Sequence, residues 1–394
     1  MDWPGDGSLV ATCGGGAEEA LEQEITDLGM QALARENGIV RFSGRAPELV
    51  RANQELRTAS RVLVPLAQGA VRGYDDLYRL ARSVPWATLV PPEKTIAVTA
   101  VVRDRRLPDH RLAALRIKDA IVDAQRAKGR RSSVDRRHPD VPVVLFAADG
   151  KAEISLDSSG APLHERGYRR EAGEAPLRET VAAAMLRYSG WNPGTPLLDP
   201  FCGSGTIVIE AAMMAAGRAP GDIREGYAYA AWPWFQLGTQ QRRTSSGSRG
   251  VRTAGEATAG ATGALIVGRD TDESVLRIAA RNAERAGVDQ LIRFEHADAR
   301  TEAPPEDSGI IATNPPYGER LALDEARSFY RELGQHLKTS YTGWSCYLLS
   351  ANREAMKGVG LRASSRRQLW NGGLDARLYA FAIYPPRDDR PTGS

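Results

Sequence analysis

The 394-residue chain has only three cysteines, Cys13, Cys202 and Cys346. They are far apart and odd in number, which excludes a disulfide framework and a CxxC metal site. No apolar run approaches the ~20 residues that cross a bilayer. No basic stretch followed by an apolar one opens the chain, so no secretory signal is expected and the cytoplasm is the expected location. The five histidines form no HExxH pair, and no metal is expected. There is little net charge: 52 Lys and Arg against 49 Asp and Glu leave +3. That excludes a globally basic protein but not a local patch, and residues 101–140 carry 12 basic against 6 acidic side chains. With 42% apolar and 26% charged residues, disorder and fibrous repeats are excluded.

What is present reads as three units in sequence. Strands at 8–12, 38–42 and 60–65, with helices at 17–28 and 47–58, predict a small α+β unit over 1–65. A second, over 66–160, has helices at 74–83 and 112–128. Its strands lie at 95–102, 141–147 and 152–157, the last two joined at Asp149-Gly150. In the 112–128 helix, Leu115, Ile117, Ala120, Ile121 and Ala124 form the predicted apolar stripe. A polar connector, 161–176, leads to a third unit over 177–386. There, alternating strands and helices predict an α/β fold with a parallel doubly wound sheet, closed by an antiparallel hairpin around Asn371-Gly372-Gly373. Residues 238–263 lack apolar periodicity and read as a flexible insertion.

Three signals in this third unit carry chemistry. Leu197-Leu198-Asp199-Pro200-Phe201-Cys202-Gly203-Ser204-Gly205-Thr206 lies between a predicted strand and helix, where α/β sheets bind nucleotides. It is neither GxGxxG nor a P-loop, and Asp199 offers an acid where a phosphate cradle would not. An acid suits a ligand with a cationic amine, such as the methionyl part of S-adenosylmethionine. Asp270 and Asp298 follow the next two strands, where acids can accept from ribose hydroxyls and an adenine amine. Asp272 is the natural N-cap of the helix that starts at Glu273. Asn314-Pro315-Pro316-Tyr317 ends the fourth strand. Its prolines have no N–H to donate. The segment therefore presents two acceptors, the Asn314 side-chain oxygen and the Pro315 carbonyl, which can hold both hydrogens of a planar amine. The Tyr317 ring can stack on an unpaired base.

The chain resembles THUMP-domain, S-adenosylmethionine-dependent RNA guanine-N2 methyltransferases, and among them the bacterial 23S rRNA family. The residues that carry this are Lys118–Asp123, Ser133–Arg136, Leu163–Tyr168, Glu179-Thr180, Trp191–Gly205, Gly268–Asp272 and Asn314–Leu321. The resemblance implies a ferredoxin-like unit, a THUMP RNA-binding unit and a Rossmann-like class I methyltransferase domain. It also adds Thr180, Phe201, Cys202, Gly203, Gly205, Thr206 and Ala299 to Asp199, Asp270 and Asp298 as cofactor residues. Asn314, Pro315, Pro316 and Tyr317 become the catalytic segment. No second methyltransferase domain, as some relatives carry, is expected after the last strand.

Two further readings follow. Lys118, Arg126, Lys128, Arg130, Arg131, Arg136 and Arg137 become RNA-contacting, because clustered cations pair with phosphates. Cys202, inside the cofactor loop, reads as a small loop residue rather than a nucleophile, since an exocyclic amine needs no covalent activation of its base. Large-subunit rRNA is the expected substrate and tRNA the nearest alternative. DNA adenine-N6 and protein glutamine methyltransferases share Asn-Pro-Pro-Tyr but lack the THUMP-like front half. A catalytically silent RNA-binding module is the alternative of another class.

Overall fold

The computed structural model describes residues 3–126, 129, 131–170, 177–235, 265–316 and 323–384. The 238–263 insertion, Lys128, Arg130 and Tyr317 lie outside the described residues. The chain divides into two compact units. One comprises Met1–Cys13, Leu21–Glu165 and Arg224–Gly250, and the other Gly14–Ala20, Arg166–Ile223 and Val251–Ser394. Among the described residues, no helix is long and apolar enough to cross a membrane.

The first unit is built on one seven-stranded sheet. Its strands are β1 (Ser8–Thr12), β2 (Ala32–Glu36), β3 (Ile39–Ser43), β4 (Arg61–Ala70), β5 (Ile96–Arg103), β6 (Val141–Ala148) and β7 (Lys151–Asp157). They lie in the order β2-β3-β1-β4-β7-β6-β5. The sequence reading gives the third strand as 60–65, ending at Pro65. Instead β4 runs on to Ala70, with a register shift between Pro65 and Ala67. Leu63 pairs with Val10 of β1 on one side and Asp157 of β7 on the other. The two expected small units therefore share one continuous sheet. Strand β2 goes unread in the sequence because it is an edge strand, its Ala-Leu-Ala-Arg-Glu side chains half-buried or exposed on both faces.

The helices of this unit are α1 (Glu18–Asp27), α2 (Ala46–Glu55), α3 (Tyr74–Arg82), the short α4 (Trp86–Leu89) and α5 (His110–Arg126). Buried Ala113, Ile117, Ala120 and Ile121 seat α5. Leu115, expected in that stripe, is exposed; Ala113, about one turn before Ile117, is buried instead. Val143, Leu145 and Ala147 of β6 join the same core.

In the second unit, β8 (Leu197–Asp199), β9 (Ile266–Asp270), β10 (Ile292–His296), β11 (Gly309–Thr313) and β12 (Trp344–Ser350) are joined by β13 (Ser365–Gln368) and β14 (Arg377–Ala382). The order is β10-β9-β8-β11-β12-β14-β13. The first five are parallel; β14 is antiparallel to both its neighbours, as expected for a closing hairpin. Helices α6 (Glu179–Tyr188), α7 (Thr206–Ala215), α8 (Glu273–Ala286) and α9 (Leu323–Ser340) complete it. The order reverses beside β8, so the carboxyl ends of β8, β9 and β11 meet at a topological switch point, where such sheets bind ligands.

Candidate active site

The loop after β8 is shaped by its glycines. Gly205 caps α7 at φ 87°, and an added Cβ would lie 3.1 Å from both Ala279 and Ile209. Glycine there serves the left-handed turn and the close approach of α8. Gly203 also has positive φ, 53°, but a Cβ would meet nothing within 4 Å. The space in front of it is open, as a loop that cradles a cofactor requires.

Asp199 ends β8, wholly buried. Its Oδ1 accepts from the Thr313 hydroxyl at 2.7 Å and from the Phe201 N–H at 3.2 Å. Burial pushes its carboxyl up to about 7, against the pull of those two donors. Asp270, at the end of β9, accepts from the Gly203 N–H (3.1 Å) with one oxygen and from the Asp272 N–H (3.1 Å) with the other. It thus braces the glycine loop and keeps lone pairs for further donors. Asp272 caps α8 as expected, accepting from the N–H groups of Ser274 and Val275.

Asp298 departs from a simple reading. Its carboxylate accepts three hydrogen bonds from Arg300, from N, Nε and a terminal nitrogen at 2.9, 3.0 and 2.7 Å. Arg300 also holds its pKa below the ordinary carboxylate value. With about four lone-pair sites on a carboxylate, roughly one remains, which is what a single amine hydrogen takes. Ala299 beside it is buried.

Asn314 follows β11. Its Oδ1 is buried and, among the described residues, has no hydrogen-bond partner. A buried acceptor left unpaired costs ~1–3 kcal/mol, so such an atom calls for a ligand donor. Pro315 beside it is buried and Pro316 half-buried.

Cys202 is buried, and burial holds its thiol well above the ordinary value, with Asp199 and Asp270 adding to it. A neutral thiol is a poor nucleophile, in keeping with the reading of Cys202 as a loop residue. Thr180 is buried in the first turn of α6, and Phe201 packs on Phe329 with ring centroids 5.5 Å apart.

Arg169 has no role in the sequence reading. Its guanidinium donates to the Leu177 carbonyl (2.6 Å), Thr206 Oγ1 (3.4 Å) and Glu179 Oε2 (2.9 Å). It joins the start of α6 to the start of α7. No periodicity or spacing marks it; only its place in the Arg-Gly-Tyr-Arg-Arg run draws notice. Burial pushes Glu179 up to about 7 although Arg169 pulls the other way.

The basic stretch divides. Lys118, Arg126 and Arg131 line a hollow between α3 and α5, where Lys118 pairs with Asp119 and Arg126 with Asp123. Arg136 and Arg137 line a separate groove on the sheet. Among the described residues, no cluster of His, Cys, Asp and Glu could hold a metal.

A glycine loop, two acids on successive strand ends and an unpaired amide oxygen on a fourth define a class I methyltransferase that uses S-adenosylmethionine. Asp199, the open loop at Gly203, Asp270 and Asp298 fit that cofactor, which supplies a methyl group on a positive sulfur. The chain belongs to the RMKL-like methyltransferase family, whose domain matches residues 166–380, preceded by an RlmL ferredoxin-like domain at 8–63 and a THUMP domain at 71–157. It is 35% identical to a Synechocystis protein named "Putative RNA methyltransferase", over 95% of this chain and 96% of that one. It is 38% identical to the ribosomal RNA large subunit methyltransferase K/L of Psychromonas ingrahamii, covering 94% of this chain but only 50% of the relative. The chain thus spans about half the length of such K/L proteins. The solved structure of SMU.472, "a putative methyltransferase complexed with SAH", superposes with a TM-score of 0.81 at 30% identity, over 96% of this chain and 98% of that one.

Proposed function

We propose that this chain methylates the exocyclic N2 amine of a guanine in large-subunit ribosomal RNA, in the cytoplasm. The observation that carries the chemistry is the buried, unpartnered Asn314 Oδ1 at the end of β11, beside the N–H-free Pro315. Asn314 Oδ1 accepts one amine hydrogen and the Pro315 carbonyl the other. Together they fix the amine plane and turn its nitrogen toward the methyl donor. As that nitrogen becomes cationic, both hydrogen bonds strengthen, so the stabilisation acts on the transition state. Asp199, Asp270 and Asp298 hold the cofactor through its amine, ribose and adenine. Tyr317 supplies the ring for the base. The choice of rRNA draws on the K/L relatives, which carry that substrate in their names.

The test is mass-spectrometric mapping of N2-methylguanine in rRNA and tRNA from cells with and without the gene. The expected result is one large-subunit guanine that loses its methyl group with the gene. A loss confined to tRNA, or no loss, overturns the reading.

A further inference from the structure

The turn after β10 is held in two separate ways, one for its backbone and one for its acid. Thr301 and Glu302 donate their N–H groups to the Asp298 carbonyl, both at 3.0 Å, so residues 298–302 close on themselves. From β9, the Arg269 guanidinium donates to the Ala303 carbonyl and to Glu295, each at 2.7 Å. From α9, His336 Nε2 lies 2.8 Å from the Glu302 carbonyl. Tyr341, just beyond α9, donates to the same carbonyl at 3.1 Å. The backbone that delivers Asp298 is therefore fixed by contacts other than those of the Arg300 side chain.

The Arg300 side chain serves the carboxylate instead. Its Nε and Nη2 grip the two Asp298 oxygens at 3.0 and 2.7 Å, while Nη1 donates to Glu332 on α9 at 3.0 Å. The guanidinium lies over the Phe329 ring, 5.8 Å from its centroid, and Phe329 packs in turn on Phe201 of the glycine loop. A planar fork seated on a ring and held at both edges is preorganised. The side chains of Asp298, Arg300 and Glu332 are 32%, 39% and 53% exposed. Ion pairs so open to water add little to stability. What this arrangement does add is a fixed plane for one carboxylate.

We propose that Arg300 is a positioning residue for the cofactor's adenine: braced by Glu332 and Phe329, it locks the Asp298 carboxylate so that the lone pair left over points at the adenine amine. A carboxylate free to rotate gives up that freedom when a ligand binds, and one already locked does not. The hydrogen bonds from Arg300 also hold Asp298 below the ordinary carboxylate value, so the acid stays ionised and can only accept. It thereby favours a 6-amino purine, which donates, over a 6-oxo purine, whose oxygen would face a second acceptor. The inference rests on the proposed placement of Asp298 at adenine and adds the residue that sets its aim.

The test is a double-mutant cycle on the full chain, read by calorimetry with S-adenosylhomocysteine. Asp298→Ala is expected to weaken binding roughly ten- to a hundred-fold. Arg300→Ala alone should weaken it roughly 2- to 20-fold, and should weaken it no further in the Asp298→Ala background. Arg300→Lys keeps the charge but loses the planar fork, so it should not restore the parental affinity. S-inosylhomocysteine carries an oxygen in place of the adenine amine. The parent should bind it more weakly than S-adenosylhomocysteine, and Arg300→Ala should narrow that ratio. Melting temperatures of the unliganded variants should stay within about 4 °C of the parent's, showing each one folded. Equal losses from Arg300→Ala with and without Asp298 overturn the proposal, as does parental affinity in Arg300→Lys or an unchanged ratio between the two ligands. Tighter binding by Arg300→Ala also overturns it, since Arg300 would then compete with adenine for the acid. If Asp298→Ala binds as the parent does, the placement of adenine fails and the inference with it. If Asp298→Ala weakens binding and Arg300→Ala does not, the inference alone fails.

Discussion

The Thr313 hydroxyl donates to Asp199 Oδ1 at 2.7 Å, linking the last residue of β11 to the last residue of β8. The strand that delivers Asn314 is thereby tied to the strand that delivers the glycine loop. The two strands end in this shared hydrogen bond inside a buried, low-dielectric space, so the proposed cofactor loop and the proposed amine acceptor are joined by a single contact.

Burial of Asp199 makes the site sensitive to pH. Burial raises the Asp199 carboxyl from an ordinary 3.8 to about 7. The folded protein thus keeps a proton that the unfolded chain has released. The stability it contributes is full below pH ~4 and is lost as pH rises to about 7. The cofactor's ammonium favours the ionised acid, so cofactor affinity should rise with pH up to about 7 and level off above it. Calorimetry near neutral pH, in buffers of different ionisation enthalpy, should show a fraction of a proton released on S-adenosylmethionine binding. Asp199→Asn should abolish that release. If it persists unchanged, Glu179, also raised to about 7, is its source instead.

Asn314→Ala removes a preorganised acceptor whose hydrogen bond strengthens toward the transition state. It should lower single-turnover methyl transfer by ~10²–10³ while cofactor affinity holds. Because Asn314 Oδ1 has no protein partner among the described residues, the change should not destabilise the fold. Transfer at the parental rate would take Asn314 out of the amine site.

Asp270 accepts from the Gly203 N–H, and in the proposed site it also accepts from the cofactor's ribose. Asp270→Ala should weaken S-adenosylmethionine binding roughly ten- to a hundred-fold, the worth of a charge-assisted hydrogen bond. Asp270→Asn keeps an acceptor for Gly203 and should lose less. Equal affinities for the parent and the alanine variant, measured by calorimetry, would remove Asp270 from the ribose site.

Cys202 should be dispensable for chemistry. Its thiol is buried and held well above its ordinary pKa, and its N–H, which donates to the Arg269 carbonyl at 2.8 Å, belongs to the backbone. Cys202→Ser should retain turnover within a few-fold, and iodoacetamide should label native Cys202 slowly. Loss of all activity in the serine variant would reopen a covalent step.

Much of this was legible locally. The amphipathic spacing of α5, the Asp272 cap and the Asp149-Gly150 turn depend on neighbours a few residues away, so the sequence specifies them directly. The Asp199–Thr206 loop and the Asn314-Pro315 segment are likewise contiguous strings. Their strand-end positions follow once alternating strands and helices imply a doubly wound sheet.

The rest required distant segments to meet. Pro65 reads as a strand end, yet β4 continues because a register shift lets β7 pair beyond it. Leu115 reads as core and is exposed, because Ala113 and Ile117 are the residues that reach the sheet. Arg169 has no local signature, since its partners Leu177, Glu179 and Thr206 are joined only by folding. Gly16, in a run that reads as simple punctuation, has its backbone so close to Gln368 that a Cβ would lie 1.8 Å from that carbonyl. Sequence alone determined the elements and the chemical groups they carry, because those depend on spacing along the chain. Tertiary structure decided which buried acids have their carboxyls pushed up and which acceptor has no partner among the described residues, because burial and the partners that relieve it are properties of packing.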